Sequence, residues 1–221
     1  MTDDILAELL TLTLTRTGTV GGVKYTNSEG QLHRIHGPAV IYPNVYVGWY
    51  CHGRLHRENG PAITHPDGSE DWYHHGRRHR SDGPAEIWAD GTQCWWLHGR
   101  RHRSDGPACV YPNGHEEWYC HGQIHRVGGP AFTYPNGDRY WYQSDRLHRS
   151  DGPAVIENGV IHRWYLHGEP ISEQQWRERV DSEVDSGGVV RHRNSEGQLH
   201  RLHGPAVTMP SGSQFWYQKD K

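Results

Sequence analysis

Apolar side chains are scarce in this sequence. Only 33% of its 221 residues are hydrophobic, Met and Phe occur twice each, and the mean hydropathy is −0.92. So little apolar mass cannot fill the thick core of an ordinary two-layer domain. No apolar run approaches the ~18 residues that a membrane span needs, so we expect no membrane span. The composition favours a thin, repetitive architecture.

An excess of positive charge is also missing. The sequence has 23 Lys and Arg against 26 Asp and Glu, which gives a formal net charge of −3. General DNA or RNA binding requires cations that neutralise the phosphates. We therefore expect no general nucleic-acid binding.

The four cysteines form no CxxC pair and no disulfide framework. This spacing favours free thiols in a reducing compartment over disulfides or zinc. The first ten residues, Met1 to Leu10, are acidic where a signal peptide is basic. Together these features predict a cytoplasmic protein. The cysteines are Cys51, Cys94, Cys109 and Cys120.

Turn residues, aromatic rings and histidines are abundant, with 27 Gly, 13 Pro, 10 Trp, 12 Tyr and 19 His. They recur with a step of 23 residues, which is the signature of internal duplication. His-Arg pairs begin at His33, His56, His79, His102, His125 and His148. Gly-Pro-Ala follows each pair, and on the same step come Trp49, Trp72, Trp95, Trp118, Trp141 and Trp164, which we predict to be structural. A seventh copy begins at His200.

Each unit carries a Pro-Asp-Gly or Pro-Asn-Gly turn between two short strands, a pattern typical of a β-hairpin. A His-Gly to His-Arg loop then leads to the next unit. About seven hairpins in series predict a mainly all-β fold, an elongated, twisted antiparallel β-meander with short helical caps.

The ends of the array break the pattern. We assign residues 1–21 to an N-terminal capping helix and strand, 22–170 to six repeats, and 187–221 to the seventh. Between them, residues 171–186 contain a capping box from Ser172 to Gln175 and an apolar stripe of Trp176, Val180 and Val184. This pattern predicts an amphipathic helix that covers the sheet.

Alternation within the strands separates a constant face, with Ala and β-branched residues, from a variable face. A repeated scaffold becomes specific where its repeats differ, so the variable face is the candidate binding surface. It carries an aromatic stripe, Tyr42, His65, Trp88, Tyr111 and Tyr134. We expect Glu70, Gln93, Glu116 and Arg139 to flank this stripe from the neighbouring strand. An open sheet edge could also pair two copies of the chain.

The histidines and arginines have two interpretations each. Histidines one repeat apart are too far from each other to share a metal ion, and no third ligand recurs, so we expect loop histidines bonded to backbone carbonyls and no metal or other cofactor. A local pair such as His52 and His56 is the remaining metal candidate. The invariant arginines suit phosphate, but loop closure through Asp82, Asp105 or Asp151 is favoured. No nucleophile or carboxylate pair stands out, so we expect no enzyme activity.

The 23-residue step, the Asp-Gly or Asn-Gly turn, the aromatic strand and a Gly followed three residues later by His, as in Gly53 to His56, resemble MORN-type repeats. The His-Arg-x-x-Gly-Pro-Ala loop departs from the usual pattern and is similar to a divergent class seen in bacterial and phage proteins. The resemblance implies a solenoid-like, non-catalytic protein that binds another protein, in the host cytoplasm if it is phage-encoded. Alternatives are a bacterial or phage anti-defence sponge for a nucleotide-type signal, with rings and Arg holding the ligand, or a structural scaffold.

Overall fold

The computed structural model describes residues 11–17, 21–180, 183–184, 187–191, 199 and 206–216. Residues 1–10, for which we predict a capping helix, lie outside this set, as does the His200-Arg201 pair of the seventh repeat. The chain forms two compact units, Met1–Gln123 and Ile124–Lys221. Within the described ranges, no helix is long and apolar enough to cross a membrane.

The main sheet of the first unit is an antiparallel meander, as predicted, in which each strand pairs with its successor in the sheet. Every strand is short because a turn follows within a few residues. The strands are Thr13–Thr17, Gly22–Thr26, Val40–Tyr42, Tyr46–Gly48, Ile63–Thr64, Glu70–Asp71, Glu86–Ile87, Gln93–Cys94, Cys109–Val110 and Glu116–Glu117.

The second unit repeats this arrangement. Its meander contains Phe132–Thr133, Arg139–Tyr140, Val155–Glu157, Ile161–Leu166 and Glu169–Ile171. A separate four-stranded sheet contains Glu183–Val184, Val190–Arg191, Val207–Thr208 and Gln214–Phe215. The all-β, antiparallel prediction is confirmed in both units.

Five repeats have a second hairpin that the sequence pattern did not separate from the loop. In these repeats the chain leaves the main sheet at the repeated Trp and forms two further strands around a His-Gly dipeptide or, in one repeat, around Ser144-Asp145. These strands are Tyr50–Cys51 and Arg54–Leu55, Tyr73–His74 and Arg77–Arg78, Trp96–Leu97 and Arg100–Arg101, Tyr142–Gln143 and Arg146–Leu147, with Tyr119–Cys120 and Gln123–Ile124 at the corresponding positions.

The two hairpins use different turns. In the first, the Gly68 amide donates to the His65 carbonyl and Gly68 has φ +89°, which is a type I turn closed by a glycine bulge. In the second, His75 and Gly76 have φ of +47° and +81°, as a two-residue type I′ turn requires. A non-glycine residue in this conformation needs compensation, which the neighbouring repeat supplies.

The hydrophobic core is thin, as the composition predicts. Its recurrent element is the alanine of Gly-Pro-Ala, and the largest fully buried side chains among the described residues are Val40, Val155 and Cys109. The six repeated tryptophans are half-buried. The buried alanines are Ala39, Ala62, Ala85, Ala108, Ala131, Ala154 and Ala206, all at 0% exposure.

The cysteines correct one expectation. Cys94 and Cys109 are direct partners on adjacent antiparallel strands and form a disulfide. The prediction of free thiols is therefore wrong for this pair, because residues 15 apart in the sequence become neighbours when two strands pair. It holds for Cys51 and Cys120, which form no disulfide in the described residues.

The helix α1 spans Glu173–Val180 and has the predicted capping box. The Ser172 amide donates to Gln175 Oε1 at 2.9 Å, and the Gln175 amide donates to Ser172 Oγ at 3.0 Å. Trp176 Nε1 donates to the Ser150 carbonyl at 3.2 Å, which holds the start of the helix against the repeat. The helix is shorter than the predicted stripe, because Val184 lies in the strand that follows.

Candidate binding surface

The invariant arginine closes the loop of its own repeat. The Arg103 guanidinium lies 4.0 Å from the centre of the Trp95 ring, donates to the Asp105 carboxylate at 2.9 Å, and donates to the Pro107 carbonyl at 3.4 Å. Asp82 and Asp151 bind their arginines in the same way. The predicted structural use of the arginine column is therefore present. Further stacked pairs include Arg34 on Tyr25, Arg57 on Trp49, Arg80 on Trp72 and Arg149 on Trp141.

The glycine of Gly-Pro-Ala makes room for this stacked guanidinium. A Cβ atom at Gly83 would lie 3.0 Å from Cζ of Arg80, and one at Gly37 would lie 2.6 Å from Cζ of Arg34. The arginine thus sits between the bare glycine backbone and the aromatic ring. This explains why Arg and Gly recur together at a fixed spacing.

The histidine of the His-Arg pair connects neighbouring repeats. His102 Nδ1 accepts a hydrogen bond from the backbone amide of His121, 3.2 Å away in the type I′ turn of the next repeat. This differs from the predicted bond to a carbonyl, since the imidazole accepts rather than donates. The same bond compensates the positive φ of the turn residue. It recurs at His33 with His52, His56 with His75, His79 with His98, His125 with Ser144 and His148 with His167.

An imidazole that accepts at Nδ1 must be unprotonated there, and the electrostatics agree. Burial, followed by the charge of His121, holds the pKa of His102 below its usual value. Burial and the next repeat's histidine also lower the pKa of His56 and His79. These histidines are therefore neutral at pH 7.

The repeat boundary also gathers potential metal ligands. The ring of His56 stacks on that of His75, with 4.2 Å between ring centres, and its centre lies 4.9 Å from that of His74. Its neighbours are therefore these two histidines and not His52, the predicted candidate partner. The expectation that no third donor recurs is therefore wrong. A His or Cys occupies the position 18 residues after the His-Arg histidine in three repeats.

Members of the aromatic stripe are accessible to different degrees. Trp88 is 53% exposed and Tyr134 is 37% exposed, whereas Tyr42, His65 and Tyr111 are half-buried. In the first unit, the structure brings His65 and Trp88 to one cavity of about 220 Å³. Tyr42 packs on Tyr46, and Tyr111 packs on His115, away from this cavity.

The predicted flanking residues lie on the other face of the sheet. Glu70 is the register partner of Ile87, and Asp71 is the partner of Glu86. Because paired residues share a face and successive residues alternate, Trp88 shares its face with Asp71 and Glu86. The predicted register was off by one residue. The other predicted flanking residues also lie on the face of the sheet opposite the stripe. Their register partners place them there, since Gln93 pairs with Ile87, Glu116 with Val110 and Arg139 with Thr133.

The residues that do flank the stripe form a charged, aromatic cluster that the sequence pattern did not predict. The Arg78 guanidinium lies 5.5 Å from the Tyr73 ring and 5.4 Å from the Trp96 ring. It binds Asp71 at 3.0 Å and Glu86 at 3.1 Å, and Glu86 also accepts from Trp96 Nε1 at 3.0 Å.

A second arginine continues this cluster. Arg101 lies 5.4 Å from the Trp96 ring and 5.3 Å from the Tyr119 ring, and it donates to Glu117 at 3.2 Å. Glu117 also accepts from the Tyr111 hydroxyl, and burial followed by the charge of Glu117 raises the pKa of Tyr111 to about 12. A comparison of the repeats could have identified Arg78 and Arg101, because the equivalent positions of other repeats are apolar. They hold Leu55, Ile124 and Leu147.

The cavity next to Trp88 is lined by acidic side chains. Asp67, Asp71 and Glu86 contribute carboxylates, and Arg78 and His65 contribute the basic groups. His65 Nε2 lies 3.6 Å from Asp71 Oδ2. The lining has three carboxylates against one permanent cation, so its potential is negative.

No protein-family model and no curated protein matches this sequence.

Proposed function

We propose that this chain is a MORN-like repeat protein that binds a partner protein and catalyses no reaction. The observation that carries the proposal is the cavity beside Trp88, where the repeats stop being equivalent. Around it, loops and turns are copied from unit to unit. At the cavity, Arg78 and Glu86 stand where most other repeats have apolar residues, and the large ring of Trp88 is 53% exposed. Exposed aromatic anchors of this kind are typical of protein interfaces.

The charge of the cavity indicates which group of the partner enters it. Three carboxylates and the face of Trp88 favour a cation, and an Arg or Lys side chain satisfies both. Arg78 neutralises part of the charge of Asp71 and Glu86 but makes no ion pair with Asp67 in the described residues. We therefore propose that a basic side chain of the partner docks against Trp88.

The same charge argues against a nucleotide at this position. A phosphate would approach three carboxylates, and Arg78 is already committed to two of them. The Ser69 hydroxyl in the cavity accepts a hydrogen bond from the Ala89 amide at 3.0 Å, which ties it to the neighbouring turn. Protein binding is the better supported of the two classes.

A peptide library centred on Arg, Lys or Glu tests this proposal directly. The full chain is immobilised as wild type, Trp88→Ala and Trp216→Ala; Trp216 is 61% exposed and serves as the control for loss of a surface indole. We expect selective retention of basic peptides, weakened roughly 30-fold by Trp88→Ala, which is a typical hot-spot loss of about 2 kcal/mol. Trp216→Ala should have no effect. Equal retention of Glu-centred peptides, or stabilisation of the wild type by nucleotides in a thermal-shift assay, would contradict the proposal.

A further inference from the structure

The repeat boundaries of the first unit contain three triads of nitrogen and sulfur donors. Within each triad, one ligand atom from every residue lies within 4.8 Å of the others. We call them the donor triads. They are His33–Cys51–His52, His56–His74–His75 and His102–Cys120–His121.

The fold explains this recurrence. The His-Arg histidine of one repeat reaches the type I′ turn of the next, where residues 18 and 19 positions later end the strand and begin the turn. His121 is therefore close to His102, and whatever residue precedes it completes the group. That residue is Cys120 here and His74 in the all-histidine triad.

We propose that the donor triads are binding sites for a divalent transition-metal ion of the zinc class. Two imidazoles with one thiolate, or three imidazoles, are donor sets that zinc takes up with water as the fourth ligand. None of the triad residues lines the Trp88 cavity, so these sites do not depend on the function proposed for it. No acidic side chain belongs to any of the three triads, which disfavours calcium and magnesium.

The ion competes with one hydrogen bond. His102 Nδ1 accepts from the His121 amide, so a metal bound at Nδ1 takes that lone pair. The two rings are stacked at 4.2 Å with 10° between their planes, and a shared ion needs both rings to rotate until their lone pairs converge. His121 is exposed and can turn.

The chain contains its own matched control. His79 and His98 have the same amide bond and the same stacked rings, 4.5 Å apart, but the third position is Leu97. This pair lacks the third donor and otherwise reproduces the ring stacking of the His102 triad. The ring of His74, from the all-histidine triad, lies 5.9 Å from that of His79. It allows one triad to be dismantled and another to be created within the same fold.

The experiment titrates Zn²⁺ into the freshly purified full chain at pH 7 under nitrogen, without reductant so that the Cys94–Cys109 disulfide stays closed, and follows Co²⁺ as the spectroscopic probe. We expect thiolate-to-Co²⁺ charge-transfer absorption in the wild type. Cys120→Leu should weaken one Zn²⁺ site by at least about tenfold, since even loss of an outer-shell partner costs that much. Leu97→Cys should add one Zn²⁺ site and increase the Co²⁺ charge-transfer band.

Thermal melting of each variant without metal shows whether it folds. If folded Cys120→Leu binds Zn²⁺ with the stoichiometry and affinity of the wild type, or folded Leu97→Cys gains no site, the proposal is wrong. If Leu97→Cys does not fold, Leu97→His, which copies the all-histidine triad, replaces it and must gain the additional Zn²⁺ site.

Discussion

The stacking of Arg103 on Trp95 gives the sharpest test of what stabilises a repeat. Full burial makes a Trp→Ala change cost about 3–5 kcal/mol, and Trp95 is mostly but not fully buried, so the lower end of that range applies. About 1 kcal/mol of this loss is the cation–π attraction of the guanidinium 4.0 Å above the ring. We therefore expect Trp95→Ala to lower the free energy of unfolding by about 3 kcal/mol. For a chain of this length that corresponds to a fall in Tm of about 6–12 °C.

Thermal melting followed by circular dichroism measures this effect, with Trp216→Ala as the control. Trp216 is 61% exposed, so its removal should change stability by less than about 0.5 kcal/mol. A double-mutant cycle with Arg103→Met isolates the stacking, and the coupling should be about 1 kcal/mol. Equal Tm shifts for the two Trp variants, or strictly additive effects of Trp95→Ala and Arg103→Met, would refute the reasoning.

Three further predictions concern the loop, the histidines and the cysteines. Gly83→Ala should lower Tm, because its Cβ would lie 3.0 Å from Cζ of Arg80 and displace the guanidinium; an unchanged Tm would contradict the close contact. Folding lowers the pKa of His102, so the neutral imidazole stabilises the folded state. This stabilisation is complete above the ordinary pKa of 6.5 and is lost as the pH falls through the pKa of His102 in the folded protein. Tm should therefore be steady from about pH 8 to 7 and decline below about 6.5, less steeply in His102→Gln. Alkylation of the unfolded chain should label two cysteines without reductant and all four with it, and peptide mapping should identify Cys94 and Cys109 as the protected pair.

Much of the fold could be predicted because the repeat encodes it locally. Pro-Asp-Gly before a strand fixes the first hairpin, and Ser172 with Gln175 fixes the helix start. The second hairpin was not separated from the loop, because two-residue strands are too short to show alternation. His-Gly was visible as a dipeptide, but the hydrogen bond from the His75 amide to His56 of the preceding repeat, which accompanies the positive φ at His75, depends on the packing of neighbouring repeats.

The candidate site was harder to predict than the fold. The aromatic stripe is a single-strand pattern, so Trp88 was found. Its flanking residues depend on cross-strand register, and a shift of one residue exchanged Asp71 for Glu70. The disulfide and the donor triads likewise depend on which strands become neighbours. Arg78 was detectable as a departure from the apolar residues at equivalent positions, but its two carboxylate partners were not.

The bond between each His-Arg histidine and the turn that follows joins residues 19 positions apart. When each repeat is taken to end at its His-Arg pair, donor and acceptor belong to neighbouring copies, and both keep their phase when a block of 23 residues is duplicated or deleted. Duplication or deletion of a whole 23-residue block therefore preserves the histidine–amide hydrogen bond between neighbouring repeats, wherever in the block the crossover occurs. An insertion of a few residues between His79 and His98 would instead separate the His98 amide from its imidazole acceptor. This fold can thus evolve readily by recombination between copies, and much less readily by small indels within these linked segments.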